Sequence, residues 1–489
     1  MCSDASSILL CTISKFLWLN NSGFGAFGML TTGTILGALA ALLLVTLTGV
    51  YAGRRVKNAG DFTGGSKMGT AMIAGSLVGT LVGGASTIGT AQLAFTYGFS
   101  AWWFTLGGGI GLFVLALLFA GPMYRGGYRT LPQILSKAYG KKIATLAAVL
   151  MSVGTFISIL SQLLSGQALI TSVAPVGKLG ALALTVVLML VYVIFGGAWG
   201  AGMVGIVKTV LLYAATIMCG IMCLTLSGDG GILGQLPRTQ YLNLFARGVW
   251  KDGGAGVSLL LGVLTTQAYI LPVMSGKTLK TARAGALLGG VLTIVVGIAG
   301  IFVGMFMRQR FPDLDAAAAM PVFIMNYLPG FPAGIALATL LIAIVGTGAG
   351  LSLGISSMLS SDIYKTVLRP KASDKEQLWV SRGIIGAVLL LAAWLSMGEA
   401  GSLILSWSFL SMGLRGAVAF IPMCFVLFVK KPVPRPFAAS AMIAGPVLVI
   451  AGQYILPAHI DPLFPGIAGT LLICTAGWLC AILRRKNHV

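Results

Sequence analysis

Two cationic side chains sit deep in apolar stretches of this chain, Lys208 and Arg415, and no Asp or Glu accompanies them there. A lone charge in hydrocarbon costs about 2.5–3.5 kcal/mol even on the lenient insertion scale, so such residues face a bundle interior or a wet cavity and mark transport paths. Arg415 lies about thirteen residues from either end of its segment, roughly 20 Å, beyond snorkelling reach. A guanidinium grips carboxylates through two parallel hydrogen bonds, so the chemistry on offer is capture of a solute carboxylate. The alternative is a structural arginine that caps the carbonyls of a broken helix. Lys208 lies about six residues into its segment, roughly 9 Å deep. A lysine stem nearly spans that depth, so snorkelling to the surface competes with a functional role.

The elements that must hold these cations are membrane helices. The 489 residues are 57% hydrophobic and only 9% charged, with mean hydropathy +0.96, against about 25% charged in soluble domains. Apolar runs of about 20 residues or more favour helices over alternating strands. The pattern predicts an all-α polytopic protein of thirteen transmembrane helices, at 30–52, 70–97, 101–121, 143–170, 177–195, 202–227, 255–273, 284–307, 332–361, 383–397, 402–429, 436–456 and 464–483.

The net charge of +21 would suit nucleic acid, but its distribution points to a lipid bilayer as partner. Basic residues gather in alternate loops: Arg54, Arg55, Lys57 and Lys67; Arg125 to Lys142; Lys277 to Arg283; Lys365 to Arg382; Lys430 to Arg435; and the tail Arg484 to Lys486. Such loops are cytoplasmic. That places the N-terminus outside, the C-terminus inside, and the protein in the plasma (cytoplasmic) membrane. The seven cysteines form no metal-ligand cluster and the two histidines are His459 and His488, so histidine catalysis and histidine metal sites are excluded. No nucleophile–base pair lies at depth, so the chain is not expected to be an enzyme. Residues 1–29 lack a basic leading region and a cleavage site, and do not read as a signal peptide; their status is uncertain.

Glycines cluster where a helix would have to open. The second span holds Gly75, Gly79, Gly83, Gly84 and Gly89, and the ninth Gly346, Gly348, Gly350 and Gly354, interleaved with Ser and Thr. Such stripes serve close helix packing or mark broken helices whose freed carbonyls bind a cation or polar solute.

Five motifs in order resemble the sodium:solute symporter family. They are Gly83 to Gly98 followed by Ser100-Ala101-Trp102-Trp103-Phe104; Leu131-Pro132-Gln133-Ile134-Leu135 with Tyr139-Gly140; Ser275-Gly276-Lys277 with Ala282, Arg283 and Gly285; and Ser360-Ser361-Asp362-Ile363-Tyr364. The resemblance covers about residues 30–430, and its familiar members are proline, sugar and sialic-acid symporters. It implies the leucine-transporter fold, a five-plus-five inverted repeat around a midplane site. The chain then divides into the segment 1–29, a leading helix and loop at 30–69, a first repeat at 70–227, a second at 228–429, and two trailing helices with a tail at 430–489. Spans two to six become core helices one to five, and spans seven to eleven core helices six to ten.

The resemblance also implies a sodium site, the one cofactor-like ion expected. Its carbonyls fall at Gly79, Val82 and Ala343, and its paired hydroxyls at Gly346 and Thr347, of which only Thr347 keeps a hydroxyl. Where the family commonly carries an Asp near the sodium exit path, Gly205 stands here, and Lys208 replaces a usual Gln. All three changes make sodium less welcome. The Lys208 amine is therefore read as the charge joining core helices one, five and eight, able to load and release a proton each cycle.

Substrate-binding candidates are Arg415 with Ser86, Thr87, Gly262, Thr266, Gln267 and Gln162. Leu259 and Tyr269 on the seventh span, and Thr155, Ser158, Ser161, Ser165 and Gln167 on the fourth, flank them. Gly262 stands where some sugar-transporting relatives carry an aromatic gate. The function expected is secondary active import of a small organic, carboxylate-bearing solute, coupled to sodium by family or to a proton by the residues. A non-cycling, transporter-like solute sensor is the alternative.

Overall fold

A computed structural model describes residues 31–55, 68–128, 131–227, 231, 232, 234, 236–360, 364, 368–399, 402–429 and 433–486. The segment 1–29 and Ser361-Asp362-Ile363 lie outside the described residues. Apart from a single parallel bridge between Met68 and Gly276, regular structure in the described residues is helical, as an unhydrated backbone requires. Nine helices there are long and apolar enough to cross a membrane, or ten with one bent pair.

We number the helices that position the site: α1 (Thr32–Arg55), α2 (Thr70–Leu81), α3 (Thr90–Tyr97), α4 (Lys141–Val173), α5 (Lys178–Leu226), α6 (Val249–Thr265), α7 (Gln267–Met274), α8 (Leu279–Arg310), α9 (Gly330–Met358), α10 (Asp374–Ser396), α11 (Ile404–Phe428), α12 (Arg435–Ile455) and α13 (Leu463–Lys486). The broken helices α2/α3 and α6/α7 pack with α8 and the Trp103–Arg125 run. α4, α5, α9 and α10 form a second group, and α11 lies against both α4 and α6.

The expected span 70–97 is interrupted. α2 stops at Leu81, Val82 is extended (φ −92°, ψ 98°), and the chain resumes through a wide π-helical turn, Ala85–Gly89, into α3. Gly83 and Gly84 are required by their neighbours: a β-carbon on Gly83 would lie 2.7 Å from Thr347 Oγ1, and one on Gly84 2.4 Å from Ser165 Cβ. The expected span 255–273 begins earlier and is also broken. α6 and α7 meet at an angle of 52° at Thr266, which is extended (φ −97°, ψ 120°).

Two expectations need correcting. The glycines of the ninth span do not open it, since α9 runs unbroken from Gly330 to Met358. Of the four, Gly348 serves packing, since a β-carbon there would meet Met189 Cε at 2.5 Å, whereas one on Gly350 or Gly354 would meet nothing within 4 Å. The coil expected at 196–201 is absent too, because helical structure continues through α5 for 49 residues. Yet Tyr192 Oη and Lys208 Nζ both lie within 3.8 Å of one β-carbon position, at Gly346. Along a straight helix those residues would stand about 24 Å apart, and their long side chains converge on that position.

The leading helix α1 lies on α9 through glycine. A β-carbon on Gly334 would come 1.9 Å from Thr34 O, and one on Gly37 2.0 Å from Phe331 O. Overpacking of this kind costs about 1–3 kcal/mol. Gly334→Val should therefore lower the melting temperature of the detergent-purified protein. Gly350→Ala, which meets nothing within 4 Å, should leave it unchanged or slightly raised; equal effects of the two would refute the packing account.

Candidate functional site

The end of α2 leaves carbonyls without partners, because a helix cannot satisfy its last four. Gly79 O would normally accept from the Gly83 amide, but that amide is turned to Ser86 Oγ at 2.9 Å. Lys208 Nζ takes its place and donates to Gly79 O at 2.7 Å, Ala343 O at 3.2 Å and Thr347 Oγ1 at 3.1 Å. Lys208 is 3% exposed and does not snorkel. An ammonium has three donors, and three acceptors meet them. The cation also sits at the C-terminal end of α2, where the helix dipole is negative. Gly205 makes the approach possible: a β-carbon on Gly79 would lie 3.1 Å from Gly205 Cα, so α5 and α2 touch backbone to backbone one turn from Lys208.

The five positions aligned to a sodium site are thereby accounted for. Gly79, Ala343 and Thr347 give their oxygens to the amine, and Gly346 supplies no hydroxyl. Val82 caps α2 through its amide to Val78 O. Sodium and the ammonium would need the same three oxygens, so the present arrangement holds one or the other.

Ser86, Thr87 and Gln162 hold the break in place. Ser86 Oγ and Thr87 Oγ1 donate to Gly83 O at 3.0 and 2.9 Å, and Gly84 N donates to Gln162 Oε1 at 2.9 Å. These candidates for solute contact are thus engaged with backbone, and Gln162 also lies beside Thr347 across Gly83.

Arg415, 1% exposed, occupies the corresponding place at the second break. Its Nη1 donates to Thr266 Oγ1 at 2.7 Å, its Nη2 to Ser158 Oγ at 3.2 Å and Ser411 Oγ at 3.1 Å, with Met412 Sδ at 3.1 Å, and its Nε to Ser411 O at 3.2 Å. Every partner is neutral. Gly154 admits the side chain, since a β-carbon there would lie 2.7 Å from Arg415 Cγ. Ser161 extends the cluster: its hydroxyl bonds Ser158 O and receives Ser408 Oγ.

Two expected pocket residues point elsewhere. At Gly262 a β-carbon would meet Met412 at 2.5 Å, so the position of the expected gate is filled by Met412. Gln267 Oε1 accepts from Leu131 N at 2.9 Å, which ties α7 to the basic-loop face instead of a solute. Other bonds close that face: Met68 N to Ser275 O at 2.8 Å, Lys277 N to Met68 O at 3.1 Å, and Tyr124 Oη to Val273 O and Gly276 O. On the opposite face a small recess of about 40 Å³ opens, lined by Gln92, Gln167, Thr171, Lys178, Asp315 and Ser402. Gln92 bridges Ser402 O and Ile404 N at its floor.

The sequence pattern missed one buried carboxylate. Asp252, 0% exposed, opens α6 and binds Arg247 through Nη2 at 2.6 Å, with Ser100 Oγ donating to Oδ1 at 2.7 Å. Arg247 and Lys251 read as outer-loop charges, and Asp252 beside them was hidden by that loop. The pairing explains Ser100 in the motif that follows the first core helix.

The sequence profile described as the sodium:solute symporter family matches residues 62–445. Relatives include the high-affinity choline transporters of Drosophila melanogaster (22% identical, over 74% of this chain and 62% of the relative) and Homo sapiens (25%, 71% and 65%). The match thus spans less than two thirds of either transporter. The high-affinity proline transporter PutP of Bacillus subtilis is 24% identical over 71% of this chain and 77% of its own. Among solved structures, a Na+-coupled sialic acid symporter superposes with a TM-score of 0.75 at 17% identity, covering 93% of this chain and 98% of that one. The fold is shared.

Gln162 has a role that can be isolated. A buried amide left unpaired costs about 1–3 kcal/mol. Gln162→Ala should strand Gly84 N and lower thermal stability by that order in chemical or thermal unfolding, while Gln162→Glu, which keeps the acceptor, should retain more of it. Equal stability of the alanine variant and the parent would remove Gln162 as the clamp of the break.

Proposed function

The chain belongs to the sodium:solute symporter family, and from that premise we propose that it imports a small, carboxylate-bearing organic solute by secondary active transport, with a proton on Lys208 in the place of sodium. One observation carries this reading: the ammonium fills the pocket that Gly79, Ala343 and Thr347 form. Sodium coupling is what the family suggests. Here the amine and the ion compete for the same oxygens, and lysine, unlike arginine, titrates when buried.

Arg415 is the carboxylate anchor in this reading. It holds neutral partners only, and an entering carboxylate would replace Ser158 Oγ and Thr266 Oγ1 with a charged, bidentate partner. The same cation argues against the choline named for some relatives, since a quaternary ammonium would meet a buried guanidinium. A second reading has its own support: Arg415 ties the break at Thr266 to Ser158 on α4 and to Ser411 on its own helix, as a structural pin would. We also read the chain as thirteen spans, counting both limbs of α5, with the N-terminus outside and the basic loops inside. The recess at Gln92 and Gln167 is then the outer access route, and the Met68–Ser275 contacts the closed inner one.

The test is uptake into proteoliposomes with sodium and proton gradients imposed separately, across small carboxylates and their amides. A proton gradient should concentrate a carboxylate without sodium, and Lys208→Gln should abolish that drive. Accumulation by sodium alone, untouched by Lys208→Gln, would defeat the proposal. Combining Lys208→Gln with Gly346→Ser and Gly205→Asp should confer sodium dependence, because the pair restores the hydroxyl and carboxylate of the family pattern, and a β-carbon at either position meets nothing nearer than 3.4 Å. Arg415→Lys should weaken carboxylate uptake selectively if the residue is an anchor, and carboxylate and amide uptake alike if it is a pin.

A further inference from the structure

Away from both breaks, on the face opposite the basic loops, a second cavity of about 120 Å³ lies between α6, α11, α12 and the start of α13. Its polar lining is Arg247, Lys251, Ser258, Ser406, Gln453 and Asp461. None of these residues takes part in the Lys208 or Arg415 clusters.

The cavity has the features of a built site. The Arg247 side chain is 9% exposed and fixed on one edge by Asp252, which Ser100 holds in turn. Phe409 lies under the guanidinium at 5.5 Å. Nη2 is buried against Asp252, and the guanidinium so fixed forms part of the cavity wall. Opposite stands Asp461, whose Oδ1 accepts from Leu463 N at 3.0 Å as it starts α13. Burial pushes its carboxyl above the usual range, against the pull of the Leu463 amide, Lys251 and Arg247. Asp252 is committed to Arg247, which leaves cationic donors on one wall and one carboxylate on the other.

We propose that this cavity binds a zwitterionic head group, an oxyanion against Arg247 and Lys251 and an ammonium against Asp461. At about 120 Å³ the cavity is smaller than the pockets that enclose drug-sized ligands, so it takes a head group and not a larger solute. Trp250 and Tyr454, exposed beside Lys251 and Gln453, are the residue types that lie at a membrane interface. The same chemistry is therefore offered by a phosphatidylethanolamine head group or by free phosphoethanolamine. Because α6 and α11 also carry the Thr266 and Arg415 ends of the central cluster, a ligand here would brace the helices that hold it.

The full-length protein in nanodiscs tests this without any uptake measurement, so its failure is separate from failure of the transport reading. Binding of phosphoethanolamine is measured in phosphatidylcholine discs, and melting temperature is compared between discs with and without phosphatidylethanolamine. Lys251→Gln and Asp461→Asn remove one charge each, and asparagine preserves the helix cap. Loss of a charged hydrogen bond should weaken binding by about tenfold or more. Free ligand binding that both variants weaken assigns the site to a soluble zwitterion. A melting-temperature rise confined to phosphatidylethanolamine, and lost in both variants, assigns it to the lipid. Absence of both effects, or variants that respond like the parent, overturns the proposal.

Discussion

Each of the two broken helices ends on a buried cation, and the rest of the architecture is arranged around that constraint. Lys208 reaches the end of α2 and joins it to α9; Arg415 reaches the end of α6 and joins it to α4. In a five-plus-five inverted repeat these are equivalent elements. The fifth core helix sends a cation to the first and eighth, and the tenth sends one to the sixth and third. Both charges sit where a helix C-terminus is electronegative, which offsets part of a desolvation cost of several kcal/mol per ion.

The equivalence is one of place and not of chemistry. The lysine meets two carbonyls and one hydroxyl, three acceptors for three protons. The arginine meets three hydroxyls, one thioether and one carbonyl. A guanidinium stays charged throughout, whereas an amine can exchange its proton. In the proposed cycle the seam between α2, α5 and α9 is the one that would change its charge. The seam between α4, α6 and α11 would keep a constant charge for a solute of opposite sign.

Much of this was legible in the chain. Lys208 and Arg415 stood out because charge in an apolar run is rare, and Gly205 and Gly346 because they remove groups that the family carries. The break at Gly83-Gly84 followed from glycine density. The same criterion failed in α9, which stays unbroken: Gly346 lies beside Tyr192 and Lys208 and Gly348 admits Met189, while Gly350 meets nothing within 4 Å. Composition cannot tell a glycine that frees a backbone from one that admits a neighbour, because the difference lies in what faces it. The break at Thr266 escaped for the converse reason: only one glycine, Gly262, lies near it, and the bend is fixed by the arginine that binds the threonine hydroxyl. Gln267 looked like a pocket residue by position, but a side chain just beyond a bend of 52° follows the second limb and faces Leu131.

Glycine is also what sets the reach of the amine. With a carboxylate at 205, as the family commonly has, the side chain would stand between α5 and α2, and an ammonium one turn away would pair with it instead of with Gly79 O. Removing that carboxylate does two things at once. It lets the backbones of Gly79 and Gly205 meet, and it leaves Lys208 with no acceptor of full charge, so that the cation must take dipoles from two helices of the opposing groups. An ion pair within α5 would hold the charge to one element. Carbonyls from α2 and α9 make the same charge depend on those helices staying together, which is the property a coupling ion needs.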